Sequence, residues 1–302
     1  MNWLTVLVLL FAGASGKVDQ VGIHFPDDAT NLLERTFDGG PGSKIINGVP
    51  SKLYSRPYQA SLQVYKNNVW NHYCGAVIID RDVLVCAAHC LRKYPAEILR
   101  VEVGSLNLQA PPLKYTQFLE VLAYQRHENF SLNPDLGFPN DIGLIFLKNR
   151  ITYNENVQPI RLAPPGLNFD NSECVISGWG LTNYLGPAAS PVLLEGKVRK
   201  LTYEKCVALH LEVDATIDRN HVCVLGESGD DVQPAGGCNG DSGGPLMCEF
   251  KRRRYLIGVA SYVWDYCDVN YPTVYTRVSG FISWINRNKD LYSNLDGSSE
   301  EQ

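Results

Sequence analysis

Little in this 302-residue chain favours a polyanionic partner, because 27 Lys and Arg face 32 Asp and Glu, a formal net charge of −5. Nucleic acid is therefore not an expected partner. Arg252-Arg253-Arg254 is the one tight basic run, and a solvated hairpin tip accounts for it. The chain also lacks an apolar run long enough to cross a bilayer. Trp3 to Ala14 falls short of the roughly 20 residues a spanning helix needs, and no later segment attempts it. A membrane partner is thus not expected. There are no repeats at the level of motifs and no heptads, which excludes solenoids and coiled coils. What remains is 45% hydrophobic and 20% charged, the balance of a globular protein with chain enough for one large or two small packed units.

No Lys or Arg precedes the first apolar run, yet Ala12-Gly13-Ala14-Ser15-Gly16 ends it in small residues. Residues 1–16 therefore read as a secretory signal cleaved after Ala14 or Gly16. A secreted, extracellular protein should have most of its 9 cysteines bridged. From Lys17 to Lys44 the chain turns polar and ends in Gly39-Gly40-Pro41-Gly42-Ser43, a linker or pro-segment. From Ile45 onward, short β-type runs alternate with turn residues. One series holds Ala60 to Tyr65, Tyr73 to Ile79, Val83 to Cys86, Leu99 to Val103, Phe118 to Tyr124 and Ile142 to Leu147. A second holds Cys174 to Ser177, Leu194 to Leu201, His221 to Leu225, Leu246 to Phe250, Leu256 to Tyr262 and Thr273 to Thr276. Such spacing predicts an all-β barrel or sandwich. Val278, Phe281, Ile282 and Ile285 recur at helical spacing, so a helix closes the fold. Residues 289–302 read as a disordered tail.

Ser242 lies in Gly240-Asp241-Ser242-Gly243-Gly244-Pro245, which alone is a hydroxyl in a glycine-rich turn. To act as a nucleophile it needs a base, and the base needs an orienting carboxylate. His89 in Ala87-Ala88-His89-Cys90 and Asp141 in Asn140-Asp141-Ile142-Gly143-Leu144 supply both. Together with Ile45-Ile46-Asn47-Gly48 after a basic residue, and Ser177-Gly178-Trp179-Gly180, these motifs resemble the trypsin/chymotrypsin family of serine endopeptidases over 45–286.

The resemblance implies two six-stranded antiparallel β-barrels, roughly 45–160 and 161–288, with the active site in the cleft between them. It implies that Ser242 attacks the scissile carbonyl, that His89 moves the proton, and that Asp141 orients His89. The N–H groups of Gly240 and Ser242 then form the oxyanion hole, and Ser261 bonds the Asp141 carboxylate. Within the family the pocket resembles that of the chymotrypsin-like elastases. Gly236 and Gly237 leave its floor without a carboxylate, Val263 and Thr273 fill its walls, and Asn239 and Tyr262 complete the substrate-binding set. Cleavage after small aliphatic residues follows, with chymotrypsin-like cleavage as the alternative. Asp230 and Asp231, in the long loop between Cys223 and Cys238, are the residues able to change that specificity.

The same resemblance makes Lys44-Ile45 an activation bond, with the freed Ile45 amino group paired to Asp241. It places His72, with Ser61 as partner, where a histidine can hold that aspartate before activation. The other histidines, His24, His127, His210 and His221, read as surface or structural. The expected disulfides are Cys74–Cys90, Cys174–Cys248, Cys206–Cys223 and Cys238–Cys267, which leaves Cys86 as a buried thiol. Calcium is not expected at the loop that holds it in many relatives, where Ser105 and Thr116 or Gln117 stand instead of glutamates. No cofactor is implied. Expected partners are protein or peptide substrates, an activating protease of tryptic specificity and protein inhibitors, met as a monomer. Asn129-Phe130-Ser131 is a glycosylation sequon.

Overall fold

A computed structural model describes residues 45–181, 189–211, 215–227 and 233–297. The signal, the pro-segment with Lys44, His24, and Asp230 and Asp231 lie outside the described residues.

The chain opens with β1 (Val49–Pro50) and then builds a first barrel from β2 (Gln59–Lys66), β3 (Val69–Ile78), β4 (Val83–Cys86), β5 (Leu99–Val103), β6 (Gln117–Arg126) and β7 (Gly143–Leu147). In space they close in the order β2-β3-β4-β7-β6-β5. After β8 (Arg161–Leu162) come β9 (Glu173–Gly178), β10 (Leu194–Lys200), β11 (His221–Gly226), β12 (Pro245–Phe250), β13 (Arg253–Tyr262) and β14 (Thr273–Arg277). These pair as β10-β11-β14-β13-β12-β9, and β9 pairs back onto β10 to close a second six-stranded antiparallel barrel. The fold is therefore the expected all-β pair of barrels. β10 shows why: its alternate residues Leu194, Gly196, Val198 and Lys200 are turned inward or buried, the period of two that a half-buried strand requires.

Each of the twelve apolar runs lies on a barrel strand, with ends shifted by a few residues. β3 starts earlier than its run, because Asn67 and Asn68, both at positive φ (55° and 64°), make a tight turn that pairs Val69 with Lys66. A short helix, α1 (Tyr203–Leu211), was not expected; its buried positions are Cys206 and His210, one helical turn apart. Lys251 and Arg252 form the tip between β12 and β13, as the basic run suggested.

The termini cross over. Ile45 is buried in the second barrel's core, and β1 pairs with β10, so the first described residues belong to the second barrel. Val278, Phe281, Trp284 and Ile285 pack into the first barrel's core instead. The closing helix, α2, spans Ile282–Gly297. The expected disorder from residue 289 is thus corrected. Lys289 is ion-paired to Asp80 at 2.5 Å, and the Tyr292 ring stacks on Phe146 at 4.1 Å, so two further anchors extend the helix beyond its apolar period.

Candidate active site

His89 sits on the 3₁₀ turn Ala88–Leu91 directly after β4, and the Cys74–Cys90 disulfide ties that turn to β3. Asp141 stands just before β7, only 1% exposed. Its two oxygens are fully used. Oδ1 accepts the His89 backbone N–H at 2.9 Å, and Oδ2 pairs with His89 Nδ1 at 2.7 Å and accepts the Ser261 hydroxyl at 2.6 Å. A carboxylate so held fixes the imidazole's orientation and leaves Nε2 as the free edge.

Ser242 comes from the turn before β12. Its carbonyl accepts the N–H of Gly75 on β3 at 2.8 Å, which docks the turn onto the barrel that carries His89. Among the described residues no hydrogen bond joins Ser242 Oγ to His89 Nε2, whose recorded neighbour is Cys90 Sγ at 3.6 Å. In free enzymes such contacts commonly tighten only when substrate binds. Gly240 has φ 94° and Gly243 has φ 78°, backbone that favours glycine. The N–H groups of Asp241, Gly243 and Gly244 bond to Cys238, Ala260 and Asp241 carbonyls, while among the described residues those of Gly240 and Ser242 have no acceptor. Two unspent donors thus flank the nucleophile's position.

Asp241 is buried beneath them. Its carboxylate accepts N–H bonds from Gly180 and Cys238, both 2.9 Å, and burial pushes its carboxyl up to about 7 against the pull of those two bonds. Gly178 and Gly180 are required here, because a Cβ on either would stand 2.0 Å from Oδ1 or 2.5 Å from Cγ of that carboxylate. Ile45 is buried nearby in the second barrel, and Ile46 exchanges backbone hydrogen bonds with Gly236 at 3.1 and 3.2 Å. His72 faces the same turn. Its ring bonds Ser61 Oγ at 2.8 Å and the Gly240 carbonyl at 3.0 Å, not the Asp241 carboxylate, and burial pulls it down to about 4.

Beside Ser242 a small recess of about 20 Å³ is lined by Gly237, Asn239, Ser261, Tyr262, Val263 and Thr273. Thr273 Oγ1 accepts the Gly237 N–H at 3.2 Å, and its Cγ2 lies 3.1 Å from where a Gly237 Cβ would be. Gly236 is capped by Val269, whose Cγ1 stands 3.0 Å from its would-be Cβ. Gly237, Val263 and Thr273 bring no charged side chain to the recess.

Sequence reasoning missed three contributors. Thr276 on β14 donates its hydroxyl to the Asp141 carbonyl at 2.8 Å, Gly75 anchors Ser242, and Val269 covers Gly236. None belongs to a motif, and each acts through a pairing distant in sequence.

All four expected disulfides are formed, and Cys86 is the free, buried thiol, its Sγ 3.1 Å from the Gly75 carbonyl. Among the described residues two clusters have metal-like composition, Cys74-His89-Cys90 and Cys206-His210-Cys223, but disulfides occupy their sulfurs and leave no thiolate to ligate. At the Ser105 loop the side-chain oxygens are bonded to one another and to neighbouring groups. Ser105 Oγ contacts Glu102 and, at 3.1 Å, Thr116 Oγ1; Gln63 takes the other Glu102 oxygen at 2.6 Å; and Gln117 is bonded to Thr152. Asn129 is exposed, in a turn held by its carbonyl's bond from Asn140. His210 and His221 are buried, and His127 packs on Phe281 and Trp284.

The sequence model of the family described as Trypsin matches residues 45–285. The chain is 34% identical over 251 residues to the "Fibrinolytic enzyme, isozyme C" of Lumbricus rubellus, a match covering 81% of this chain and 99% of that protein. It is 33% identical over 247 residues to chymotrypsin-like elastase family member 1 of Canis lupus familiaris, covering 81% and 92%. It is 31% identical over 259 residues to a trypsin of Sarcophaga bullata, covering 84% and 92%.

Proposed function

The chain belongs to the trypsin family of serine proteases and is an endopeptidase acting on proteins, and from that premise we propose how its residues divide the work. Ser242 Oγ attacks the scissile carbonyl while His89 takes its proton and later gives it to the leaving amine. The acyl-enzyme is then hydrolysed by water activated the same way. Asp141, held by His89, Ser261 and Thr276, keeps the imidazole in the useful tautomer and stabilises its charged form. The observation that carries the reading is the pair of unspent N–H groups at Gly240 and Ser242, beside a turn docked onto the His89 barrel. One such donor to an oxyanion is worth about 2.7–4 kcal/mol. Labelling of Ser242 by a phosphonofluoridate in the activated protein tests it, and an unlabelled serine points to a protease-like binding module instead.

The P1 preference proposed is elastase-like, for small aliphatic residues. The apolar Gly236–Val269 floor and the Val263 and Thr273 walls support it, as they offer no carboxylate to a lysine or arginine. A peptide-library cleavage profile distinguishes this from chymotrypsin-like cleavage.

The protein is proposed to be secreted and made as an inactive precursor cut at Lys44-Ile45. The buried Asp241 carboxylate has the raised pKa of a group without a cation, and the Ile45 segment already lies in the second barrel. A freed Ile45 amino group supplies the cation and shapes the Gly240–Ser242 backbone. A buried charge without its partner commonly costs about 3–5 kcal/mol, which makes the switch sharp. The pocket cannot receive Lys44, so activation requires a separate protease of tryptic specificity. Ser242→Ala precursor incubated with trypsin should acquire an Ile45 N-terminus, and efficient cleavage there by the active enzyme itself refutes both activation and pocket. Glycosylation at Asn129 completes the proposal and is read as a mass shift removed by an N-glycosidase.

A further inference from the structure

On the second barrel, apart from the cleft, lies another recess of about 20 Å³, which is room for one or two water-sized groups. Lys200, Arg277, Asn168 and Ser279 form its polar side, and apolar residues such as Phe169 and Ile257 form the rest. Lys200 is an inward-facing residue at the end of β10, and its side chain is only 6% exposed. Its ammonium contacts a single acceptor, the Asp170 carboxylate, although it carries three protons. Arg277, at the end of β14, spends Nε on the Arg219 carbonyl at 2.7 Å and Nη2 on the His221 carbonyl at 3.0 Å. Among the described residues no acceptor takes Nη1. Asn168 turns its Oδ1 to the Asp170 N–H at 2.8 Å, away from the role of acceptor for either cation. Around this recess two cations face one carboxylate, with Arg219 and Asp218 beyond them offsetting one another. Burial also pulls the Arg277 guanidinium below its ordinary value, against the opposing pull of Asp170.

We propose that this recess binds a small inorganic anion, held between Lys200 Nζ and Arg277 Nη1 with the Ser279 hydroxyl at its edge. The excess positive charge selects the sign of the ligand, and the volume excludes an ion attached to a carrier chain. Arg277 straps the 219–221 turn to β14, the strand whose Thr276 holds Asp141, so an occupied recess braces the second barrel behind the triad.

Thermal unfolding of the full, uncut chain in increasing chloride, with gluconate, an anion too large for the recess, holding the ionic strength constant, tests the assignment. The melting temperature should rise along a saturating curve. Lys200→Gln should weaken the apparent affinity about tenfold or more, the value of a charge-assisted hydrogen bond. Asp170→Asn removes the competing carboxylate and should tighten it by a similar factor. Opposite effects of two substitutions in one ion pair do not arise from general destabilisation, and if Lys200→Gln fails to fold, Asp170→Asn alone decides. Three results overturn the proposal: a non-saturating rise equal in all three proteins, which means an adventitious ion only; no tightening in Asp170→Asn; or gluconate alone raising the melting temperature as chloride does.

Discussion

The pocket gives the sharpest prediction. Its cavity is about 20 Å³, and Val263 and Thr273 form the walls. A single methylene more or less in such a site discriminates by ~1–3 kcal/mol, or about 10–200-fold in kcat/KM. A phenylalanine exceeds a valine by more than one methylene, so the activated enzyme should prefer Ala or Val over Phe at P1 by at least about tenfold. Val263→Gly opens one wall. At the other, Thr273→Gly also removes the acceptor of the buried Gly237 N–H, held at 3.2 Å, and an orphaned donor costs about 1–3 kcal/mol of stability. Thr273→Ser keeps that oxygen and deletes only Cγ2, the atom nearest the place a Gly237 Cβ would take. Val263→Gly with Thr273→Ser should therefore bring Phe and Leu substrates to within a few-fold of Ala, with the melting temperature little changed, while the double glycine variant broadens further and melts earlier. The assay is kcat/KM on matched peptides differing only at P1. Equal rates on Ala and Phe in the wild type, or a ratio unmoved in both variants, refute the reasoning.

Other groups respond to pH, to thiol reagents and to added bulk. In the uncut chain the Asp241 carboxyl is raised from the ordinary 3.8 to about 7, so the folded state retains a proton that the unfolded state releases. Its contribution is complete below about 4 and is lost as pH rises through about 7, a change of a few kcal/mol. Urea midpoints of wild type and Asp241→Asn should thus differ between pH 5 and pH 8, and a difference that does not vary with pH removes the argument. His72, lowered to about 4, acts in the opposite sense: its contribution is present above pH 6.5 and fades as pH falls towards 4, so His72→Gln should flatten the acid side of the stability curve. Burial raises the Cys86 thiol strongly, so it should label with aromatic disulfides only on unfolding; rapid labelling of the native protein contradicts its placement. Gly178→Ala puts a Cβ 2.0 Å from Asp241 Oδ1 and should abolish activatable enzyme, whereas Gly166→Ala, at φ 84° in open space, should cost only about 1–2 kcal/mol. Comparable melting temperatures for the two variants count against the packing described.

What was legible in the sequence was what chemistry restricts to a few residue types. A nucleophile between glycines, a histidine beside a cysteine and an aspartate before an apolar strand are each recognisable in a short window, and the strands announced themselves by apolar runs. Residues whose role depends on who lies opposite them were not. Gly75 has no local mark, yet a Cβ on it would stand 2.8 Å from the Gly244 backbone and its N–H donates to the Ser242 carbonyl, because β3 is the strand the second barrel leans on. The chain's end was misread for the same reason. Lys289 and Tyr292 look like solvated tail until Asp80 and Phe146, more than a hundred residues earlier, are set against them.

Ser261 shows how these two kinds of information meet. In β13 the pairing with β14 runs Val259↔Thr276, Ala260↔Tyr275 and then Tyr262↔Val274, so Ser261 is the extra residue of a bulge. Regular alternation has no place for it, and a bulge is the local device that re-aims one side chain. Here it turns the Ser261 hydroxyl to Asp141 while its neighbours Tyr262 and Val263 pass on to the pocket wall. Across the same strand pair, Thr276 bonds the Asp141 carbonyl and Thr273 closes the opposite wall. In the proposed function, one pair of strands thus sets both the orientation of the base and the size of the residue admitted. Substitutions that reshape the pocket through side chains alone, as at Val263, should change selectivity and leave kcat on the best substrate near its original value. Those that shift the register at Ser261 should lose kcat on every substrate alike, since the Asp141–His89 geometry moves with the bulge.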